Sequence, residues 1–154
     1  MRIHIGTDHA GFELKGVLVS HWREAGHEVI DHGCYVYDRL DDYPEFCIAC
    51  AEAVAAEPGS LGVVLGGSGN GEQMAANLVS GVRAALVWSE ETARLARCHN
   101  DANVAGLGAR MHTIEEAVGI LDAFITEPFS GDQRHQNRID QMAAYEAGRT
   151  QRRD

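Results

Sequence analysis

Between Leu61 and Asn77 the chain reads Leu-Gly-Val-Val-Leu-Gly-Gly-Ser-Gly-Asn-Gly-Glu-Gln-Met-Ala-Ala-Asn. Four glycines, Gly66, Gly67, Gly69 and Gly71, fall within six residues and leave Ser68, Asn70 and Glu72 as the side chains with chemistry to offer. Glycine has no β-carbon and adopts backbone conformations closed to other residues, so such a loop can bring its amides close to a ligand. Those N–H groups, with the first turn of a following helix, would hold negative charge. Glu72 then sets a carboxylate, a candidate general base, at the mouth of an anion-suited pocket. An acid in that place also complements the helix dipole without any further role.

Three familiar uses of a glycine loop can be compared with these letters. A P-loop requires Gly-Lys-Ser/Thr after its spacer, and the one lysine of the chain is Lys15. A dinucleotide fingerprint counted from Gly67 finds Glu72 where its third glycine belongs, which would turn a carboxylate toward a pyrophosphate, although Glu90 stands roughly where a ribose-binding acid is expected. The hydrolase elbow Gly-x-Ser-x-Gly ends here in Asn70. A nucleotide-binding module of the universal-stress or flavodoxin kind and a Ser68-dependent hydrolase therefore stay open beside base chemistry at Glu72.

The elements that must position these groups follow from periodicity and punctuation. Arg2–Thr7 alternates as a first strand, Asp8-His9-Ala10-Gly11 turns it into a helix from Phe12 to Glu24, and Gly26 ends that helix. Glu28–His32 reads as a second strand, followed by a polar and aromatic loop from Gly33 to Asp42 and a helix from Tyr43-Pro44 to about Ala56. Val63–Leu65 begins the glycine-loop unit, whose helix runs from Glu72 to Leu78, and Val82–Trp88 is a fourth strand. Ser89 caps a helix from Glu90 to Cys98, with His99-Asn100 at its end, before a fifth strand, Asn103–Leu107, and then Arg110-Met-His112. Thr113-Ile-Glu-Glu116 is a capping box for an amphipathic helix, and Asp132 caps a last one in which Arg134 and Arg138 share a face beside His135. The tail from Gly148 to Asp154 reads as frayed.

Five alternations of strand and helix predict an α/β fold: a doubly wound, five-stranded parallel sheet with helices on both faces, a three-layer α/β/α sandwich. Asp8, His9, Ser68, Glu72 and Arg110 fall at carboxyl ends of strands, where such sheets bind ligands. The last helix, about 132–147, has no strand of its own to cover and is expected to reach a partner subunit. At 154 residues the chain suits one domain, and a net charge of −10 argues against a nucleic-acid or acidic-membrane surface. The N-terminus enters a strand at once and no apolar run approaches spanning length, which predicts a cytoplasmic protein. Cys34, Cys47, Cys50 and Cys98 are then expected to remain thiols; Cys47-Ile-Ala-Cys50 has half a zinc site's spacing without a second pair and reads as buried, inert thiols on the apolar face of a helix.

Gly6-Thr-Asp-His-Ala-Gly-Phe12, the loop Gly66–Gly71 with Ala75-Ala-Asn77, His99-Asn100 and Arg134-His-x-x-Arg138 together resemble the ribose-5-phosphate isomerase B family, which also includes galactose-6-phosphate isomerase subunits. The match runs from Met1 to about Tyr145. It implies a Rossmann-like sheet, a homodimer with active sites at the subunit interface, and interconversion of ribose 5-phosphate and ribulose 5-phosphate without metal or other cofactor. Pairing of dimers into tetramers, and a six-carbon aldose 6-phosphate (allose or galactose 6-phosphate) as substrate, remain alternatives. Many members carry a cysteine base where this chain has Gly66; the sequence is similar to the actinobacterial-type branch, in which a glutamate at the position of Glu72 is the base. By that resemblance His99 and Asp8 open the sugar ring, and Ser68 with the loop residues Gly67, Gly69, Asn70 and Gly71 holds the enediolate. His9, Arg110, Arg134 and Arg138, with His135 beside them, bind the phosphate, and Asn100 supports the sugar.

Overall fold

The computed structural model describes residues 1–151, the side chains of 149–151 excepted. Five parallel strands, β1 (Arg2–Thr7), β2 (Glu28–Asp31), β3 (Leu61–Gly66), β4 (Ala84–Leu86) and β5 (Val104–Gly108), lie in the order β2-β1-β3-β5-β4. β3 is buried along its whole length, as a central strand covered on both faces must be. Helices α2 (Tyr43–Ala56) and α3 (Asn70–Ala76) cover one face around Cys47, Cys50, Val54 and Val64. Helices α1 (Phe12–Glu24), α4 (Glu90–Asn100) and α5 (Ile114–Thr126) cover the other, packing Leu18, Trp22, Leu121 and Phe124 against Ile3, Ile5, Val63 and Leu107. The predicted three-layer, doubly wound sheet is the observed one.

After β1 the chain winds toward β2, and after β3 toward β4, so the sheet's switch point lies between the carboxyl ends of β1 and β3. Thr7, fully buried, ties those two ends together by donating its hydroxyl to the Leu65 carbonyl at 2.9 Å. On the far edge, Asn77 closes β4 by accepting from the Ala84 N–H and donating to the Ala84 carbonyl, each at 2.9 Å. That clamp occupies backbone groups an edge strand would otherwise leave open.

Several boundaries differ from the sequence reading, each for a local reason. β4 is shorter than Val82–Trp88 because only Ala84–Leu86 has a register partner on β5. α3 begins at Asn70 instead of Glu72, since Gly69 takes a left-handed conformation (φ 81°) as its N-cap, and it ends at Ala76. α4 continues through His99 to Asn100, ended by Asp101 in the left-handed region (φ 43°). The last helix, α6, runs from Gln133 to Gln151, so the tail is helical beyond Gly148; residues 152–154 of the segment read as frayed lie outside the described residues. Ser89 and Thr113 cap α4 and α5 with full capping boxes. Among the described residues no helix is long and apolar enough to cross a membrane.

Candidate active site

At the switch point the glycine loop does what its composition requires. Gly69 is the only loop glycine with a positive φ, and a β-carbon there would strike the backbone of Leu107 and Gly108. At Gly71 a β-carbon would collide with the Tyr43 hydroxyl, which packs the first turn of α2 against the loop. Gly66 is constrained differently: a β-carbon on it would overlap the carboxylate of Glu72. Glu72 thus fills the space that a side chain at position 66 would occupy.

Glu72 is 4 % exposed, and its Oε2 has no hydrogen-bond partner. Burial raises its pKa above the ordinary carboxylate value, the charge of Asp8 adds to the rise, and the backbone N–H groups of Glu72 and Gly69 oppose it. A buried carboxylate with a free oxygen and a raised pKa is suited to taking and returning a proton. Asp8 is buried at 7 % exposure, where it caps the 3-10 turn His9–Gly11 by accepting from the Ala10 N–H at 2.9 Å. Ser68 and Asn70 are exposed at the lip of the loop, with the Ser68 Oγ 3.2 Å from the Asn70 Nδ2. The Arg110 side chain lies over Gly67, and its backbone N–H donates to the Gly67 carbonyl at 3.2 Å. A hollow of about 360 Å³ opens beside Ser68 and Asn70, rimmed by Trp88, Met111 and His112.

His9 is held by Asp41, which sequence reasoning did not single out. Asp41 Oδ1 lies 2.7 Å from His9 Nδ1 and accepts from the His9 backbone N–H at 2.9 Å. Asp41 and Asp42 end the polar loop just before a Tyr-Pro helix start, so no letter pattern connects Asp41 to a histidine 32 residues earlier.

His99, Asn100, Arg134, His135 and Arg138 are not with these groups. α4 leaves the carboxyl edge after β4 and runs back, so its end at Asn100 lies at the amino edge, where the Arg83 Nε donates to the Asn100 carbonyl at 3.0 Å. Strands of this length separate the two edges by roughly 15–20 Å. α6 docks at that amino edge: the Ser130 N–H donates to the Cys98 carbonyl at 3.0 Å, and the His135 ring stacks on His99 with centroids 4.3 Å apart. His135 is 4 % exposed with Nδ1 2.8 Å from the Ser130 hydroxyl, so its ring supports His99 from beneath instead of facing solvent. Burial, followed by the charge of His99, lowers its pKa. Arg134 and Arg138 are exposed, and Arg138 shares a hollow with Asn100, Met142 and Tyr145.

The four cysteines carry free thiols. Cys47 and Cys50 are buried on α2 as expected, but Cys34 is buried in a loop and Cys98 is half-buried on α4. Burial pushes the Cys50 thiol up to about 12 and Cys34 to about 11, and raises Cys47 as well, so these three are poor thiolates near neutrality. None lies at position 66.

Fold and site define a class: a doubly wound α/β protein that sets a buried carboxylate with one unpartnered oxygen beside the glycine loop at its switch point. Comparison with known proteins narrows that class. The profile of the family described as Ribose/Galactose Isomerase matches residues 3–142. The ribose-5-phosphate isomerase B of Mycobacterium tuberculosis is 60% identical over 146 residues, covering 95% of this chain and 90% of that protein; the Escherichia coli enzyme of the same name is 39% identical over 148 residues, covering 96% and 98%. The solved ribose-5-phosphate isomerase B of Mycoplasma genitalium, with bound ribulose-5-phosphate, superposes with a TM-score of 0.92 at 43% identity, covering 95% of this chain and 96% of that one. The chain belongs to the ribose/galactose isomerase family.

Proposed function

We propose that this chain interconverts ribose 5-phosphate and ribulose 5-phosphate through an enediolate, with Glu72 as the base. The observation that carries the reading is the Glu72 carboxylate itself, buried above Gly66 with one oxygen unpaired at the mouth of the glycine loop. In the open-chain aldose, Glu72 takes the proton from C2, the electron pair moves toward C1, and charge collects on O1. Loop amides between Gly67 and Gly71 and the Ser68 hydroxyl would donate to that oxyanion. The hydroxyl proton passes from O2 to O1, and Glu72 returns its proton to C1, leaving the ketone at C2.

The complete site in this reading needs two chains. Glu72, Asp8, His9, Ser68 and Arg110 stand at the carboxyl edge; His99, Asn100, Arg134 and Arg138 stand at the amino edge of the same protomer. A homodimer that sets one chain's carboxyl edge against the other's amino edge lets His99 and Asp8 open the ring, Asn100 support the sugar and the three arginines with His9 bind the phosphate. Both half-sites are rimmed by exposed apolar side chains that suit such a contact: Trp88 and Met111 on one, Met142 and Tyr145 on the other. His135 acts in this scheme through His99.

The deciding experiment is a coupled assay of the purified protein, in chelator, with ribose 5-phosphate beside allose and galactose 6-phosphates. Turnover of ribose 5-phosphate with the highest kcat/KM is expected. Turnover confined to a six-carbon phosphate would move the substrate, and no turnover of any would end the isomerase reading.

A further inference from the structure

We propose that Asp41 is a positioning residue that fixes which ring nitrogen His9 turns toward the phosphate, an inference that rests on the isomerase reading above. Asp41 Oδ1 takes both the His9 backbone N–H, at 2.9 Å, and the His9 ring through Nδ1, at 2.7 Å. An ionised carboxylate only accepts, so the proton between them belongs to Nδ1, and Nε2 is the nitrogen left for a ligand. Burial works against a charged Asp41, but the His9 amide and ring and the Cys34 thiol outweigh it and hold its pKa below the ordinary value. Asp41 is therefore ionised wherever the enzyme would work. Its side chain is 12% exposed and that of His9 20%, so water competes weakly for the bond.

The tether is anchored from behind. Asp41 sits in the loop between β2 and α2, and that loop is fixed by Lys15, whose Nζ donates to the Cys34 carbonyl at 2.6 Å and to Asp31 Oδ1 at 2.8 Å. The Cys34 N–H donates to the Thr7 carbonyl at 2.6 Å, which joins the loop to the end of β1 one residue before Asp8. Tyr37 meets the His9 ring edge-on with centroids 6.3 Å apart. One loop thus sets the height, tilt and tautomer of the His9 ring. A ring already oriented loses less freedom when a ligand binds. Asp8 Oδ2 also stands 4.0 Å from His9 Nδ1, beyond a hydrogen bond, which leaves Asp41 as the group that sets the tautomer.

The test reads the tautomer directly in ¹⁵N-labelled wild-type protein at neutral pH, with the His9 signals identified by their loss in His9→Ala. The expected result is a proton on Nδ1, with the Nε2 signal moving when inorganic phosphate is added. A bare Nδ1, or an Nε2 that ignores phosphate, overturns the proposal, and neither result depends on turnover. In kinetics, Asp41→Asn should raise the KM for ribose 5-phosphate about 10-fold or more, as expected for a charged hydrogen bond, with kcat within about threefold. The double variant with His9→Ala should be no worse than His9→Ala alone, since a residue acting through another adds nothing once that one is gone. Additive losses, or a fall in kcat with KM unchanged, would sink it. Wild-type protein inactive on ribose 5-phosphate would instead sink the isomerase reading, with the tautomer and phosphate titration still deciding the tether.

Discussion

As the proposed base, Glu72 carries opposed demands: it would have to be ionised to act, and it sits where burial penalises ionisation. Replacement by glutamine keeps the shape and removes the base. Glu72→Gln should lower kcat by about 10² to 10⁴ and leave KM nearly unchanged; steady-state kinetics within a few-fold of wild type would refute the assignment. Because burial raises the pKa of Glu72, the acid limb of the wild-type kcat/KM profile should lie above the ordinary carboxylate value. The same shift has a stability consequence. A carboxyl whose folded pKa exceeds its unfolded value stabilises the fold fully below the unfolded pKa and loses that contribution as pH rises through the folded one. Glu72→Gln should then melt higher than wild type near neutrality, and the difference should vanish in acid.

At the scale of elements, the glycine loop joins β3 to α3 through one left-handed residue. Gly69→Ala puts a β-carbon against the Leu107 and Gly108 backbone at φ 81°, and such strain costs on the order of 1–3 kcal/mol. Urea denaturation should show that loss, and kcat should fall with it because the amides move; an unchanged kcat would mean that the loop amides do not hold the transition state. The elements themselves were legible: apolar runs, Gly26, Pro44, Ser89 and Thr113 place every strand and helix, and the order of alternation predicts the sheet. Local letters could not give the ends of β4 and α3, since the first depends on pairing with β5 and the second on the conformation of Gly69. Nor could they separate the candidate residues by edge. His99 sits one helix after a carboxyl edge and one loop before the next strand, and only the direction of α4 places it at the amino edge. Asp41 was illegible because its partner is distant in sequence and its neighbours are ordinary for a helix start.

For the whole molecule, the separation of the two residue sets makes oligomerisation a condition of chemistry in the proposed mechanism. Glu72→Gln and Arg138→Ala, each inactive or weak alone, should regain activity when mixed and allowed to exchange subunits. In a mixed dimer one of the two sites receives Glu72 from one chain and Arg138 from the other, both intact, so about a quarter of wild-type activity is expected for random pairing: half the dimers are mixed, and each has one whole site of two. No recovery after exchange is demonstrated by mass spectrometry would place both residues in one chain's site and refute the two-chain arrangement. The fold has a further consequence through its one lysine. An aldose with a free aldehyde condenses with exposed amines and glycates them. Lys15, the sole ε-amine in 154 residues, is 4 % exposed and bound to Asp31. Peptide mapping after long incubation in ribose 5-phosphate should find Lys15 unmodified in the native protein and modified once urea has unfolded it. A protein that handles a reactive sugar would in this way offer that sugar no lysine to damage.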